Sequence, residues 1–240
     1  MKAVSVSHLS VELGTTRVLS DINMEIEEGQ IAGIIGPNGG GKTTLLRAIL
    51  GIVKPSAGEI RVFGFEPRAA VKKALVGYLP QRQTRSLLPL TALEAVMIMG
   101  RVSKEKALRA LELVGMAEHA GRSFWELSGG QAQRVSLARV IVQDPRLMLL
   151  DEPSTGIDTV SQKDFYRLLL RLRAESGTTV IMTSHDVGAI SSYADQVFCL
   201  NIRLHAHGPA SACFTSKHLS ELYGREVDLI HHKEPDDGDT

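Results

Sequence analysis

Residues 36–44 read Gly36-Pro37-Asn38-Gly39-Gly40-Gly41-Lys42-Thr43-Thr44. The first eight fit G-x-x-x-x-G-K-[ST], a pattern in which backbone N–H groups surround a phosphate, the lysine reaches the β/γ oxygens and the hydroxyl binds Mg²⁺. The apolar run 30–35 predicts a buried parallel strand before the motif, and helical spacing at 45–50 predicts a helix after it. Strand, glycine loop and helix in this order predict an α/β fold with a triphosphate at the helix N-terminus, rather than a turn that binds nothing.

Two carboxylates follow a second apolar run, Leu147-Met148-Leu149-Leu150. Ligands of open α/β sheets lie at the carboxyl ends of the strands, so Asp151 and Glu152 are expected at the same edge as the glycine loop. Asp151 there can hold Mg²⁺, directly or through water. Glu152 can orient or deprotonate the attacking water. A solvated acidic turn is the alternative, and the fully apolar strand before the pair argues against it.

Gln81 and His185 follow two further predicted strands, at 76–79 and 179–182. A lone histidine is usually a surface residue or a satisfied core residue. The position of His185 at a strand end, parallel to that of Asp151, favours a contact with the γ-phosphate. The same argument brings Gln81 to this edge, and both inferences depend on the motifs already described.

A third motif, Leu127-Ser128-Gly129-Gly130-Gln131, precedes a predicted helix that starts near Gly129. Serine is a good N-cap, and the two glycines leave backbone N–H groups open to an anion. The motif therefore predicts a second anion-binding helix N-terminus in the same chain.

Bulk composition limits the class of protein. The chain has 240 residues, 43% of them hydrophobic, and its 27 basic residues equal its 27 acidic residues, so nothing global favours nucleic acid. Cys199 and Cys213 match no metal or disulfide spacing. The N-terminus lacks an apolar leader pattern, and no apolar run approaches the roughly 18 residues of a membrane span. We expect a cytosolic chain that reaches a membrane only by docking onto a partner.

The remaining patterns predict an α/β core interrupted by a helical insert. Strands are expected at 4–13, 22–26, 59–63, 76–79, 147–150, 178–182 and 197–200, and helices at 91–99, at 104–114 and from about 129. Residues 226–240 are rich in acids and are expected to form a mobile tail.

Together these residues resemble the ATP-binding subunits of ABC transporters, and the likeness covers roughly residues 4–225. Residues 36–44 look like the Walker A loop, 147–152 like Walker B with its catalytic glutamate, and 127–131 match the LSGGQ signature at every position. Gln81, Asp158 and His185 fall where the family has its Q-loop glutamine, D-loop aspartate and switch histidine.

The resemblance implies a P-loop NTPase (RecA-like) core with an N-terminal antiparallel β-subdomain and an inserted α-helical subdomain. One domain would span 1–225, with the core at 1–84 and 143–225 and the helical subdomain at 85–142. The implied cofactors are ATP and Mg²⁺, the latter near Thr43, Gln81 and Asp151. The implied assembly is a head-to-tail homodimer, in which Ser128 and Gly130 of one subunit meet the γ-phosphate that Lys42 of the other holds.

The subclass rests on shorter stretches. Residues 78–82, 89–91, 99–101, 201–209 and 222–224 look like those of ATPases serving importers of manganese, zinc or iron. Such a subunit would lie at the cytoplasmic face of the inner membrane, with integral membrane permease subunits and an extracytoplasmic metal-binding protein as partners and no nucleic acid. The alternatives are the ATPase of an importer for another substrate such as an iron chelate, a soluble ABC ATPase, and an exporter. A simple P-loop kinase or GTPase is disfavoured, because it would not have the motif found at residues 127–131.

Three features leave questions for the structure. Leu13 stands where the family usually has an adenine-stacking aromatic residue, and no aromatic residue precedes Phe63, which predicts weak discrimination between ATP and GTP. The histidines at and after position 205 suggest a metal sensor or, as we favour, a polar surface. The apolar stretch 90–101 faces either a membrane partner or the interior of the helical subdomain.

Overall fold

The computed structural model describes residues 1–81, 89–155, 157, 159–213 and 222. Its strands are β1 (Lys2–Leu13), β2 (Thr16–Glu27), β3 (Ile31–Ile35), β4 (Ala57–Val62), β5 (Val76–Leu79), β6 (Leu147–Leu150), β7 (Thr179–Ser184), β8 (Gln196–Asn201) and β9 (Arg203–Gly208). Its α-helices are α1 (Lys42–Ile49), α2 (Pro67–Lys72), α3 (Ala92–Gly100), α4 (Lys104–Leu113), α5 (Gly129–Ile141), α6 (Thr159–Ser176), α7 (Val187–Tyr193) and α8 (Ala210–Cys213). Two short 3₁₀ turns, Ala117–His119 and Phe124–Glu126, lie between α4 and α5.

The larger sheet has the strand order β5-β6-β7-β3-β8-β9. Its neighbouring strands are parallel except for β9, which runs antiparallel to β8. Every residue of β3, β6 and β7 is buried, as expected of parallel strands covered on both faces. Since β3, β5, β6 and β7 run in one direction, the loops after them leave the sheet at one edge.

The smaller sheet is antiparallel, in the order β2-β1-β4. Its apolar residues alternate with polar ones and form a core with α1 and one face of the larger sheet, including Ile34, Leu149 and Phe198. The predicted antiparallel subdomain at the N-terminus is confirmed.

Helices α3, α4 and α5 contact one another and build a second core with the other face of the larger sheet. Thr91 and Ser103 are the N-caps of α3 and α4, since their hydroxyls accept hydrogen bonds from backbone N–H groups of the first helical turn. Helix α3 therefore begins one residue after its predicted start at 91, and α4 begins at its predicted start, 104. Helix α3 buries Ala92, Ala95 and Val96, yet Ile98 is 57% exposed. Part of this stretch therefore packs in the interior of the helical subdomain, whereas a contact of Ile98 with a membrane partner stays a prediction.

Sequence patterns did not predict β9, and they predicted none of the helices α2, α6, α7 and α8. Strand β9 is an edge strand in which exposed Arg203, His205 and His207 alternate with half-buried residues, so it lacks a continuous apolar run. The predicted acidic tail 226–240 and Asp158 lie outside the described residues.

Candidate active site

The glycine loop after β3 is shaped by close backbone contacts. A Cβ atom on Gly36 would lie 1.9 Å from the carbonyl oxygen of Leu200. Gly41, at φ +97°, immediately precedes α1, and a Cβ atom there would lie 2.6 Å from Cδ2 of Leu19. Side chains are thus excluded from both ends of the loop, as a backbone cradle for phosphate requires.

Lys42, the first residue of α1, is only 6% exposed. Its Nζ donates hydrogen bonds to the carbonyl oxygens of Gly36 at 2.7 Å and Pro37 at 3.0 Å, and it lies 3.9 Å from Oε1 of Glu152. Burial lowers the pKa of Lys42, while the nearby carboxylates of Glu152 and Asp151 oppose that shift. The ammonium group therefore lies inside the loop, with carbonyl oxygens of the loop on one side and the Glu152 carboxylate on the other.

Lys42 borders a cleft of about 380 Å³, a size that suits a small-molecule site. Its described lining consists of Val18, Pro37, Asn38, Gly39, Gly40, Gly41, Lys42, Thr43, Thr44, Gln81 and Glu152. Residues 37–44 thus share one cleft with Gln81 and Glu152, two of the three proposed catalytic residues, whereas Gly36 and Asp151 are not among its described lining.

Asp151 lies at the end of β6, buried to 1% exposure. Its Oδ1 accepts hydrogen bonds from the hydroxyls of Thr183 at 2.8 Å and Thr43 at 3.1 Å, and the Tyr78 hydroxyl lies 3.4 Å from Oδ2. Burial and the charge of Asp151 raise the pKa of Tyr78. A carboxylate in contact with the Thr43 hydroxyl is the oxygen donor set that Mg²⁺ prefers, so these residues fit that ion.

Glu152 is 9% exposed and has φ +47°. Its backbone N–H donates to the Thr183 hydroxyl at 2.9 Å. Its carboxylate oxygen Oε2 accepts from Gln81 Nε2 at 2.6 Å and from Thr155 Oγ1 at 3.2 Å, and His185 Nδ1 lies 3.7 Å from the same oxygen. The structure therefore brings together Gln81, Glu152 and His185, which lie far apart in the sequence.

The signature loop forms the N-terminus of α5. Ser128 is its N-cap: the hydroxyl accepts from the N–H of Gln131 at 3.3 Å, and the Gln131 side chain accepts from the N–H of Ser128 at 3.1 Å. Ser128 and Gly129 are exposed and Gly130 is half-buried. No residue of 127–131 is among the described residues that line the phosphate cleft.

Sequence reasoning missed Thr183 and Thr155. Thr183 is fully buried and connects the Asp151 carboxylate to the backbone of Glu152, since its hydroxyl donates to Asp151 Oδ1 and accepts from the Glu152 N–H. Thr183 lies near the end of β7, two residues before His185. A position at a strand end is the signal that pointed to Gln81 and Asp151, and the same signal could have predicted Thr183. Thr155 gave no comparable signal.

The adenine-stacking position and two of the histidines can also be placed: His205 and His207 are exposed on β9, whereas His218, His231 and His232 lie outside the described residues. Leu13 is 50% exposed, whereas Phe63 is 9% exposed, lies under the guanidinium of Arg146 and is not among the described cleft residues. Within the described part of the chain, no three His, Cys, Asp or Glu residues form a group that could hold a metal ion.

Both cysteines are buried, and burial raises the pKa of Cys199 to about 12, so this thiol is protonated at neutral pH.

Comparisons with known proteins were made for both sequence and fold. A family model described as ABC transporter matches residues 19–155. The zinc import ATP-binding protein ZnuC of Pseudomonas aeruginosa is 39% identical over 233 residues, which cover 95% of this chain and 84% of that protein. A Thermotoga maritima protein named "Probable metal transport system ATP-binding protein" is 40% identical over 250 residues, covering 98% of this chain and 100% of the relative.

Two solved structures resemble the fold. CbiO1 from Clostridium perfringens, part of the ABC transporter complex cbiONQ, has a TM-score of 0.80 and 27% identity over 92% of this chain and 93% of its own. A dimeric ATP-binding cassette in a post-hydrolysis state, bound to ADP and Pi, has a TM-score of 0.75 and 26% identity over 86% and 98% of the two chains. Both have the fold described above.

Proposed function

Because the chain belongs to the ABC transporter family, we propose that it is the ATP-hydrolysing subunit of an importer for divalent metal ions. The observation on which the proposal rests is the joint position of Glu152, Gln81 and Lys42 around one cleft of small-molecule size. The metal cargo rests on the relatives, whose names describe zinc import and metal transport. Zinc is the first candidate, with manganese and iron next.

In this proposal the glycine loop and Lys42 hold the β- and γ-phosphates of ATP. The positive end of α1 and the Lys42 ammonium oppose the charge that develops on the phosphates during transfer. Thr43, Asp151 and Gln81 would hold Mg²⁺, which would supply positive charge to neutralise the phosphates. The partly buried contact of Thr43 with Asp151 supports this assignment.

Glu152 is proposed to accept a proton from the attacking water. Its hydrogen bonds with Gln81 and Thr155 fix the carboxylate beside the cleft, where a general base must lie. His185 approaches the same carboxylate with an exposed side chain and is proposed to contact the γ-phosphate.

A second copy of the chain would complete the site. Residues 128–131 form a helix N-terminus at which Ser128 and Gly129 are exposed, and none of them is among the described residues that line the cleft of the same subunit. An anion at that terminus would interact favourably with the helix dipole. We propose that this anion is the γ-phosphate held by the partner subunit, with Asp158 also at the dimer interface.

The membrane partners follow from the proposed cargo. None of the described helices is long and apolar enough to cross a bilayer. We propose that residues 1–225 form one ATP-binding domain that docks onto permease subunits at the cytoplasmic face of the membrane, with exposed Ile98 of α3 in the contact. An extracytoplasmic metal-binding protein would deliver the ion.

Uptake by cells that lack this chain tests the proposal. Zn²⁺, Mn²⁺ and Fe²⁺ accumulation is measured in the deletion strain and after complementation with the wild-type chain or with Glu152→Gln. We expect uptake of one of these ions to fall on deletion and to recover with the wild type alone. Equal uptake of all three ions in every strain would contradict a metal cargo.

A further inference from the structure

Glu152 has a backbone conformation that its surroundings must hold. A φ of +47° is uncommon for a residue with a side chain, and such conformations persist where neighbouring groups determine them. On one side, the N–H of Glu152 donates to Thr183 Oγ1 at 2.9 Å. On the other side, the carbonyl oxygen of Pro153 accepts from Gln133 Nε2 at 2.7 Å. Both contacts are buried, so they hold the peptide unit that precedes the proposed base and the second peptide unit after it.

Gln133 belongs to α5, the helix whose N-cap is Ser128. Its side chain is 7% exposed, and Leu137 and Val140 follow it at the helical spacing of one buried face. Only about 7 Å along the helix axis separates Gln133 from Ser128. One rigid element therefore contains both the exposed signature loop and the donor to the backbone beside Glu152.

The segment after Glu152 is also held by α6. Ser154 Oγ lies 3.1 Å from the Tyr166 hydroxyl, and Gln162 Nε2 donates to the Ser154 carbonyl oxygen at 3.3 Å. Thus β7 and α6 hold residues 152–154 against the core, while Gln133 holds them against α5, which we call the signature helix because Ser128 is its N-cap. A shift of α5 relative to the core would act on Pro153 through this hydrogen bond.

We propose that Gln133 is a positioning residue for Glu152: its amide holds the Pro153 carbonyl and thereby couples the place of the carboxylate to the place of the signature helix. The inference rests on the proposed function, since it assumes that Glu152 is the base and that Ser128 meets the partner's nucleotide. In that arrangement, engagement of the partner's nucleotide by one subunit would set the geometry of its own Glu152.

A double-mutant cycle with the full-length chain tests the inference. Gln133→Met keeps the side-chain length and removes the donor. We expect the maximal rate of ATP hydrolysis to fall about tenfold, which corresponds to ~1.4 kcal/mol in the activation free energy, with an unchanged dissociation constant for MgATP. In the Glu152→Gln background the same substitution should cause no further loss, because a residue that acts through Glu152 has nothing left to position.

A matched control and a second variant complete the design. Gln143→Met makes the same change just after α5, where the exposed Gln143 side chain donates to the Arg139 carbonyl oxygen, and should leave the rate unchanged. Gln133→Asn, whose amide is too short to reach Pro153, should reproduce the effect of Gln133→Met. Thermal unfolding is recorded for every variant.

Three results would overturn the proposal. The first is a wild-type rate of ATP hydrolysis in both Gln133 variants. The second is a further loss of rate, of the same factor as in the wild-type background, when Gln133→Met is added to Glu152→Gln. The third is failure of both Gln133 variants to fold while Gln143→Met folds. Failure of the proposed function gives a different result, since Glu152→Gln would then hydrolyse ATP at the wild-type rate.

Discussion

The amide nitrogen of Gln81 lies 2.6 Å from Oε2 of Glu152, so one hydrogen bond joins the residue two positions after β5 to the second residue after β6. The two strands are parallel neighbours, and their ends therefore meet at one edge of the sheet. The bond fixes the orientation of the carboxylate relative to the phosphate cleft. In an account where Glu152 is the base, Gln81 helps to aim it.

Glu152→Gln tests the role of the base. The amide replaces the carboxylate with almost no change of shape, so nucleotide binding should persist while hydrolysis slows at least about 100-fold, the low end for loss of a general base. Steady-state turnover and binding of MgATP measure the two effects separately. The control is Glu175→Gln at an exposed position of α6. Normal turnover in Glu152→Gln would remove this residue from the proposed chemistry.

Lys42→Ala tests the cradle. Loss of an ammonium that lies inside the glycine loop should raise the dissociation constant for ATP about ten- to hundredfold, the range for a charge-assisted hydrogen bond. Equilibrium titration of the purified chain measures this constant, with Lys54→Ala as the exposed control. An affinity equal to that of the wild type would contradict the assignment.

Thr183→Val tests the buried hydroxyl that joins the Asp151 carboxylate to the backbone N–H of Glu152. Valine matches the shape of threonine but leaves the Glu152 N–H without its acceptor and removes one donor to Asp151. The free energy of unfolding should fall by about 1–3 kcal/mol, the cost of an unsatisfied buried polar group. Denaturant unfolding gives this value, and Thr16→Val, at an exposed site, provides the comparison. A change below the error of the titration would show that the hydroxyl contacts are dispensable.

Leu13→Tyr tests base recognition. Leu13 is half-exposed in the wild type, so we expect similar affinities for ATP and GTP. A tyrosine that stacks on adenine should strengthen ATP binding by about 0.5–1.5 kcal/mol. Competition binding with the two nucleotides reports both results. A strong preference of the wild type for ATP would assign base recognition to another residue.

The sequence predicted the site best where residue type and strand end coincide. Lys42, Asp151 and Glu152 each directly follow a glycine loop or an apolar strand, and the structure places them within one network. Gln133 was not predicted because its role depends on which helix packs beside Pro153, a tertiary fact. A polar residue on the apolar face of α5 was the available signal. Strand β9 was missed because an edge strand needs no continuous apolar run.

Ser128→Arg tests the proposed contact between the signature loop of one subunit and the nucleotide held by the other. The arginine would crowd the N-terminus of α5, where Ser128 is exposed and lies outside the described lining of the cleft in its own subunit. We expect turnover to be lost while each isolated subunit still binds nucleotide with near wild-type affinity. If nucleotide binding were lost as well, the loop would serve the site of its own subunit.

The molecular mass of Glu152→Gln with MgATP, measured by light scattering, probes the account most directly. Since ATP should join two subunits and hydrolysis should be blocked, the chain should have twice the monomer mass with ATP, and the monomer mass either without ATP or when Ser128→Arg is added. A monomer at saturating ATP, or a dimer that Ser128→Arg leaves intact, would contradict a nucleotide shared between two copies.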